Sequence, residues 1–118
     1  MATTINSLET LTGQAASLEA VHKKDLRCGD RVLVETRNSL YTVWVLENGE
    51  YWVWGGWFDL RGLSPYRVAI NGCTWGGTAI LHNVVAAQGL RLEFSNRVRT
   101  TPIRKVRVVR TNAHFYPN

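Results

Sequence analysis

Two sets of residues in this chain have chemistry to offer. The first interleaves rings with cations: Tyr41, Trp52 and Trp54 in one stretch, and Arg97, Arg99, Arg104, Lys105, Arg107 and Arg110 in another. Rings stack on unpaired bases while Arg and Lys contact phosphates, so the combination points to a polyanion, above all nucleic acid. The second is the run Asn71-Gly-Cys-Thr-Trp-Gly-Gly-Thr78. Gly76 and Gly77 can leave backbone N–H groups uncovered as an anion-binding nest, with Thr74 adding a hydroxyl. The plainer reading is a tight strand connection that lets Trp75 pack across a barrel end, since glycine pairs in β proteins usually mark bends.

Other chemistries find little support. The run lacks the Gly-Lys-Ser/Thr ending of a P-loop, and no GxGxxG follows a strand. His22, Cys28, Cys73, His82 and His114 are too dispersed to suggest a metal site. There is no Gly-x-Ser-x-Gly elbow and no HExxH. Asp59 and Glu93 are the only acids beyond residue 50, which leaves acid–base catalysis in that region little to draw on. A lone base at Asp59 or His82 would be an ordinary loop carboxylate or strand histidine. The expectation is a non-enzyme with no metal and no cofactor.

The element that must position the aromatics is Tyr41–Phe58, YTVWVLENGEYWVWGGWF. Asn48-Gly49 suits a two-residue type I′ turn, whose central residues both need positive φ. Pairing Glu47 with Glu50 then sets Leu46 opposite Tyr51, Val45 opposite Trp52, Trp44 opposite Val53 and Val43 opposite Trp54. In that register Trp44, Leu46, Tyr51 and Val53 share one face, and Val43, Val45, Trp52 and Trp54 share the other. Both faces are apolar, so either a partner, an arm or a second subunit covers one of them, or the register differs.

The 118 residues suffice for one domain with a single core. Net charge is +5, unevenly spread. Residues 1–60 carry five Lys/Arg against eight acids, whereas residues 61–118 carry nine against Glu93 alone. A basic half attracts polyanions, unless interleaved strands scatter its charge over all sides. No apolar run approaches the roughly 20 residues of a membrane-spanning helix, so no membrane association is expected. No basic n-region and apolar h-region open the chain, so the cytoplasm is the expected compartment. In that compartment Cys28 and Cys73 read as small buried hydrophobes, with a disulfide left open.

Residues 1–24 read as an arm. Ile5, Leu8, Leu11, Ala15, Leu18 and Val21 form a helical stripe broken by Gly13. Residues 25–111 read as the folded domain and 112–118 as a polar tail. Strands are predicted at Arg31–Thr36, on both sides of the Asn-Gly turn, at Tyr66–Ile70, Thr78–Val85, Leu90–Ser95 and Ile103–Arg110. Asp59–Pro65 reads as a loop, and Asn71-Gly72 as a turn. Six to seven short strands at this spacing suggest an all-β fold, a small and mostly antiparallel barrel.

Two resemblances follow. Asn71-x-Cys73-x-x-Gly76, with Arg27-x-x-x-Arg31 upstream and the later LRLEF and VRVV strands, resembles the motif layout of PilZ domains, β-barrels that bind cyclic di-GMP. The resemblance implies that Arg27, Arg31, Asn71 and Gly76 touch a cyclic dinucleotide. Cys73 stands where that motif has serine, and the gap from Arg31 to Asn71 is long. GCTWGGTAI with GLRLEF is also similar to a group of small bacterial proteins of unknown function, which implies a bacterial β protein and supplies no activity. The leading expectation is a binding module for a polyanion. The alternatives are a protein–protein or self-assembling module that uses the aromatic hairpin face, and a cyclic-dinucleotide binder.

Overall fold

The structure, a computed structural model, describes residues 19–76 and 79–111. The expected helical stripe up to Leu18, the pair Gly77-Thr78 and the tail from residue 112 lie outside the described residues. Among the described residues nine strands form: β1 (Ala20–His22), β2 (Arg31–Thr36), β3 (Leu40–Val45), β4 (Glu50–Gly55), β5 (Tyr66–Thr74), β6 (Ile80–Leu81), β7 (Val84–Ala87), β8 (Arg91–Phe94) and β9 (Ile103–Val109). A single turn of 3-10 helix (Lys23–Asp25) and one short helix, α1 (Gly56–Leu60), complete the described elements. The main sheet runs β6-β5-β4-β3-β2-β9 with β8 also on β5, and every pairing is antiparallel. It curls into a half-barrel. A separate ribbon, β1 with β7, packs inside the curl, so Ala20–His22, read from sequence as part of the arm, is paired with a buried strand of the fold.

The hairpin register differs from the expected one by a single residue. Asn48 and Gly49 do take positive φ, and the Glu50 N–H donates to the Glu47 carbonyl as the turn requires. On the next rung, however, the Leu46 N–H donates to the Glu50 carbonyl, so Leu46 and Glu47 together oppose Glu50. This is a β-bulge, and it shifts every later pair: Val45 faces Tyr51, Trp44 faces Trp52, Val43 faces Val53 and Thr42 faces Trp54. Val43 now meets Val53 on one face, beside Val45 and Tyr51, and Trp44 meets Trp52 on the other, beside Trp54. The two-faced apolarity becomes a valine face inside and a tryptophan face outside.

Val32, Val34, Val43, Val53 and Val106 line the inner face and are fully buried. Against them sits a ring cluster: Phe58 lies 5.0 Å edge-on to Phe94, 5.4 Å from Tyr66 and 6.5 Å from Tyr41 between centroids. The chain enters α1 through Gly55 and Gly56 at φ 106° and 43°. A Cβ at Gly56 would overlap the Tyr41 phenol, and one at Gly55 the Leu40 carbonyl, so only glycine allows this close approach. The stretch expected to be loop from Asp59 therefore begins inside a helical turn that delivers Phe58 to the core. Similarly, β5 does not stop at Asn71-Gly72. It continues to Thr74 across a register shift between Ile70 and Gly72, changing partners from β4 to β8 and β6. The predicted Thr78–Val85 strand is two short strands instead, β6 and β7, joined at His82-Asn83.

One buried charge ties the strand ends together. Asp30, 1% exposed, accepts hydrogen bonds from the Arg27 N–H (2.8 Å), the Thr111 N–H (2.9 Å) and Arg110 Nη1 (2.9 Å). Arg110 Nη1 also donates to the Asp25 carbonyl at 2.6 Å. Arg110, expected to hold a partner, is thus engaged in joining the end of β9 to the turn before β2. Cys28 is exposed, contrary to expectation, while Cys73 is buried; both are free thiols. Burial pushes the Cys73 thiol up to about 11. A thiol reagent at pH 8 is expected to modify Cys28 alone in the folded protein and both cysteines after denaturation.

Burial opposes ionisation of Asp30, but the two backbone donors and Arg110 outweigh it and hold the carboxyl below its usual range. A carboxyl lowered on folding stabilises the protein above its unfolded pKa, about 4. That contribution is lost as pH falls through the folded value. Denaturant midpoints measured against pH should therefore drop below pH 4. Asp30→Asn should cost about 2 kcal/mol at neutral pH and flatten that acid limb.

Candidate functional site

The bulge aligns a row of side chains across the outer, convex face. Arg31 on β2, Trp44 on β3, Trp52 on β4 and Arg67 on β5 are successive cross-strand neighbours. At the usual strand spacing the row spans about 14 Å. The Arg31 guanidinium carbon lies 5.1 Å from the Trp44 ring centroid, and that of Arg67 lies 5.9 Å from Trp52. Trp54, one rung along, stacks on Trp44 at 6.0 Å with an interplanar angle of 27°. Trp44 is 37% exposed, and Trp52 and Trp54 are half-buried.

Stacking on a ring uses the flat face of a guanidinium and leaves its N–H edge pointing outward. Arg31 makes no ion pair among the described residues, so its donors remain free. Arg67 gives Nε to Glu50 Oε1 at 2.7 Å and keeps its terminal nitrogens. Towards β9, Lys105 and Arg107 stand opposite Glu35 and Leu33 on the same face. Four cations thus flank three indoles, with Glu35 and Glu50 the acids on these strands' outer positions. The face can stack planar rings on exposed indole surface and pair anions with guanidinium edges.

Of the residues expected to bind a partner, Trp52, Trp54, Lys105 and Arg107 lie on this face. Tyr41 does not: it points inward, 5% exposed, and its hydroxyl accepts the Trp57 N–H at 3.3 Å. Arg104 projects from the register shift in the β2–β9 ladder into a groove of about 640 Å3 shared with Arg37, Asn38, Thr101 and Pro102. Arg97 and Arg99 sit beyond β8, beside Asn71 and Glu93. The basic half is therefore distributed over several places, and only part of it meets the indoles.

The expected anion nest is occupied by its own hydrogen bonds. The Gly76 N–H donates to Thr74 Oγ1 at 3.0 Å, and that hydroxyl donates to the Ala79 carbonyl at 2.8 Å. Thr74 is 1% exposed, so its hydroxyl is not offered outward. Gly77 lies outside the described residues. Arg27 and Arg31 flank the Asp30 turn, whereas Asn71 belongs to β5, with β3 and β4 between it and β2 in the sheet order. Arg31 turns instead to Trp44.

No known protein family, curated protein or solved structure matches this chain. What the face does must be read from its geometry. No helix among the described residues is long and apolar enough to cross a membrane, and they contain no cluster of three or more potential metal-binding His, Cys, Asp or Glu side chains.

The expected interface from sequence lacked Trp44, Arg31 as its stacking partner, and Arg67. The alternations Val43-Trp44-Val45 and Trp52-Val53-Trp54 carried the signal, since pairing like with like requires one bulged residue at the turn. Because the indoles lie on the outer face, Trp44→Ala and Trp52→Ala should each cost about 1 kcal/mol or less. Phe58→Ala should cost about 3–5 kcal/mol, as for large aromatics removed from a core. Urea unfolding of the three variants measures this contrast.

Proposed function

We propose that the outer face is a non-catalytic binding surface for single-stranded nucleic acid. The observation that carries this reading is the cross-strand row Arg31–Trp44–Trp52–Arg67, in which two neighbouring indoles are flanked by guanidiniums that keep free donors, within reach of successive nucleotides. Bases stack against Trp44, Trp52 and Trp54. Arg31, Lys105 and Arg107 meet phosphates, and Arg67 does so while leaning on Glu50. Because stacking is indifferent to base identity, sequence preference is weak.

A second reading uses the same face between two copies of this chain. It is favoured by Leu40, 55% exposed, whose strand also carries Trp44. Mass in solution, measured with and without a short oligonucleotide, separates the two readings. The nucleic-acid reading expects a monomer that binds the oligonucleotide and quenches tryptophan fluorescence. Its affinity should fall with salt at a log–log slope of about −0.7 per phosphate contacted. Trp44→Ala or Trp52→Ala should weaken binding by about 1–3 kcal/mol with the fold intact. A dimer broken by Trp44→Ala, with no binding at low salt, would replace this reading with self-association.

A further inference from the structure

On the far side of β5 a second arginine pair has been built with more care than a solvated surface requires. Glu93 has both carboxylate oxygens occupied: Arg99 Nε donates to Oε1 at 2.7 Å, and Asn71 Nδ2 to Oε2 at 2.8 Å. Asn71 Nδ2 also reaches the Phe94 carbonyl at 3.3 Å, which fixes the amide in the register shift of β5. The Asn71 and Arg99 hydrogen bonds hold the Glu93 carboxyl below its usual range, so the buttress stays ionised at neutral pH. Held by Nε alone, Arg99 keeps its two terminal nitrogens.

Arg97 stands beside it at the turn, with its backbone in the left-handed region at φ 72°. Glycine or asparagine would take that conformation with less strain. Its side chain makes no hydrogen bond, ion pair or ring contact among the described residues and acts on Glu93 only through its charge, so its donors are uncommitted. Asn71, Glu93, Arg97 and Arg99 line one open groove of about 540 Å3, with room for a phosphate and the group that bears it. Two guanidiniums face one carboxylate whose oxygens are already satisfied, which leaves a net positive site with in-plane donors and the Asn71 Oδ1 as acceptor.

We propose that Arg97 and Arg99, braced by Glu93 and Asn71, form a phosphate-binding cradle distinct from the tryptophan face. Its ligand is a phosphate group, supplied either by a small phosphate ester or by the backbone of a bound strand. The second source rests on the nucleic-acid reading above; the first does not.

The decisive variant is Arg97→Gly, because it relieves the backbone while deleting the ligand contact. Arginine side-chain N–H resonances are followed by NMR during titration with inorganic phosphate and, separately, with an oligonucleotide lacking a terminal phosphate. The expected result is saturable shifts of Arg97 and Arg99 in the parent, with the affinity read from Arg99 about ten-fold or more weaker in Arg97→Gly and a melting temperature equal to or above that of the parent. Shifts with inorganic phosphate assign a small ester as a source; shifts with the oligonucleotide alone assign the backbone. Arg97→Gly binding as well as the parent would overturn the cradle, as would a lowered melting temperature. The cradle also falls if neither probe moves these resonances in the parent. The double variant Trp44→Ala/Trp52→Ala keeps the two readings apart, since it should abolish oligonucleotide affinity while leaving the inorganic phosphate response unchanged.

Discussion

The whole arrangement depends on one backbone constraint, the bulge opposite Glu50. Side chains alternate across a strand with period two, so a single extra residue decides which set faces the core. With the bulge, Val43, Val45, Tyr51 and Val53 fill the inside, and Trp44, Trp52 and Trp54 stand outside. Without it, each face would mix indoles with valines, and the fully buried positions Val43 and Val53 would lie on opposite sides of the sheet. Packing selects the bulge: the curved interior takes compact β-branched residues and a ring cluster seeded by Phe58, and the alternative register would turn at least one indole into it.

Outside, the same selection would leave a bare apolar strip, and guanidiniums cover part of it. Arg31 and Arg67 come from the strands flanking the hairpin and fold onto the rings they meet in register. Each contact is worth only about 0.5–1 kcal/mol at an exposed position. Their larger effect is on orientation. A stacked guanidinium has already lost much of the rotamer freedom that a free arginine would surrender on meeting an anion. The Arg99–Glu93–Asn71 arrangement achieves the same end by hydrogen bonding where no ring is at hand.

Much of the fold was legible in the sequence. Strict alternation at Arg31–Thr36 and Leu90–Ser95 is a direct record of a half-buried strand, and both strands form there. What escaped was decided by contacts distant in sequence. Asn71-Gly72 has the chemistry of a turn, yet β8 and β6 hold it extended as part of β5. Gly55-Gly56 read as part of the hairpin stretch, but the Tyr41 ring makes it the entry to α1. For the site, composition supplied the right classes of residue and mixed two populations. Tyr41 resembles its tryptophan neighbours in type and is separated from them by the parity of its position. Arg110 resembles Arg107 and is held by the carboxylate of Asp30, eighty positions earlier. Neither parity after a bulge nor a long-range ion pair leaves a local trace.

The latch at Asp30 has a further consequence, for the order in which the domain can form. β2 has β3 on one edge and β9 on the other, and Val34 pairs with Val106 across nearly the whole described chain. While the chain is being synthesised, β2–β5 can assemble early, but one edge of β2 stays unpaired until β9 has emerged. An open edge of that kind is a template for strands of other chains. Arg31 and Glu35 both project from it, charges that discourage such pairing during the wait. Closure then couples the arrival of β9, Arg110 and the Thr111 amide to a single buried carboxylate. The last of the described strands to be made is thus the one that ends the period of exposure, and a chain stalled before residue 103 would keep that edge of β2 open.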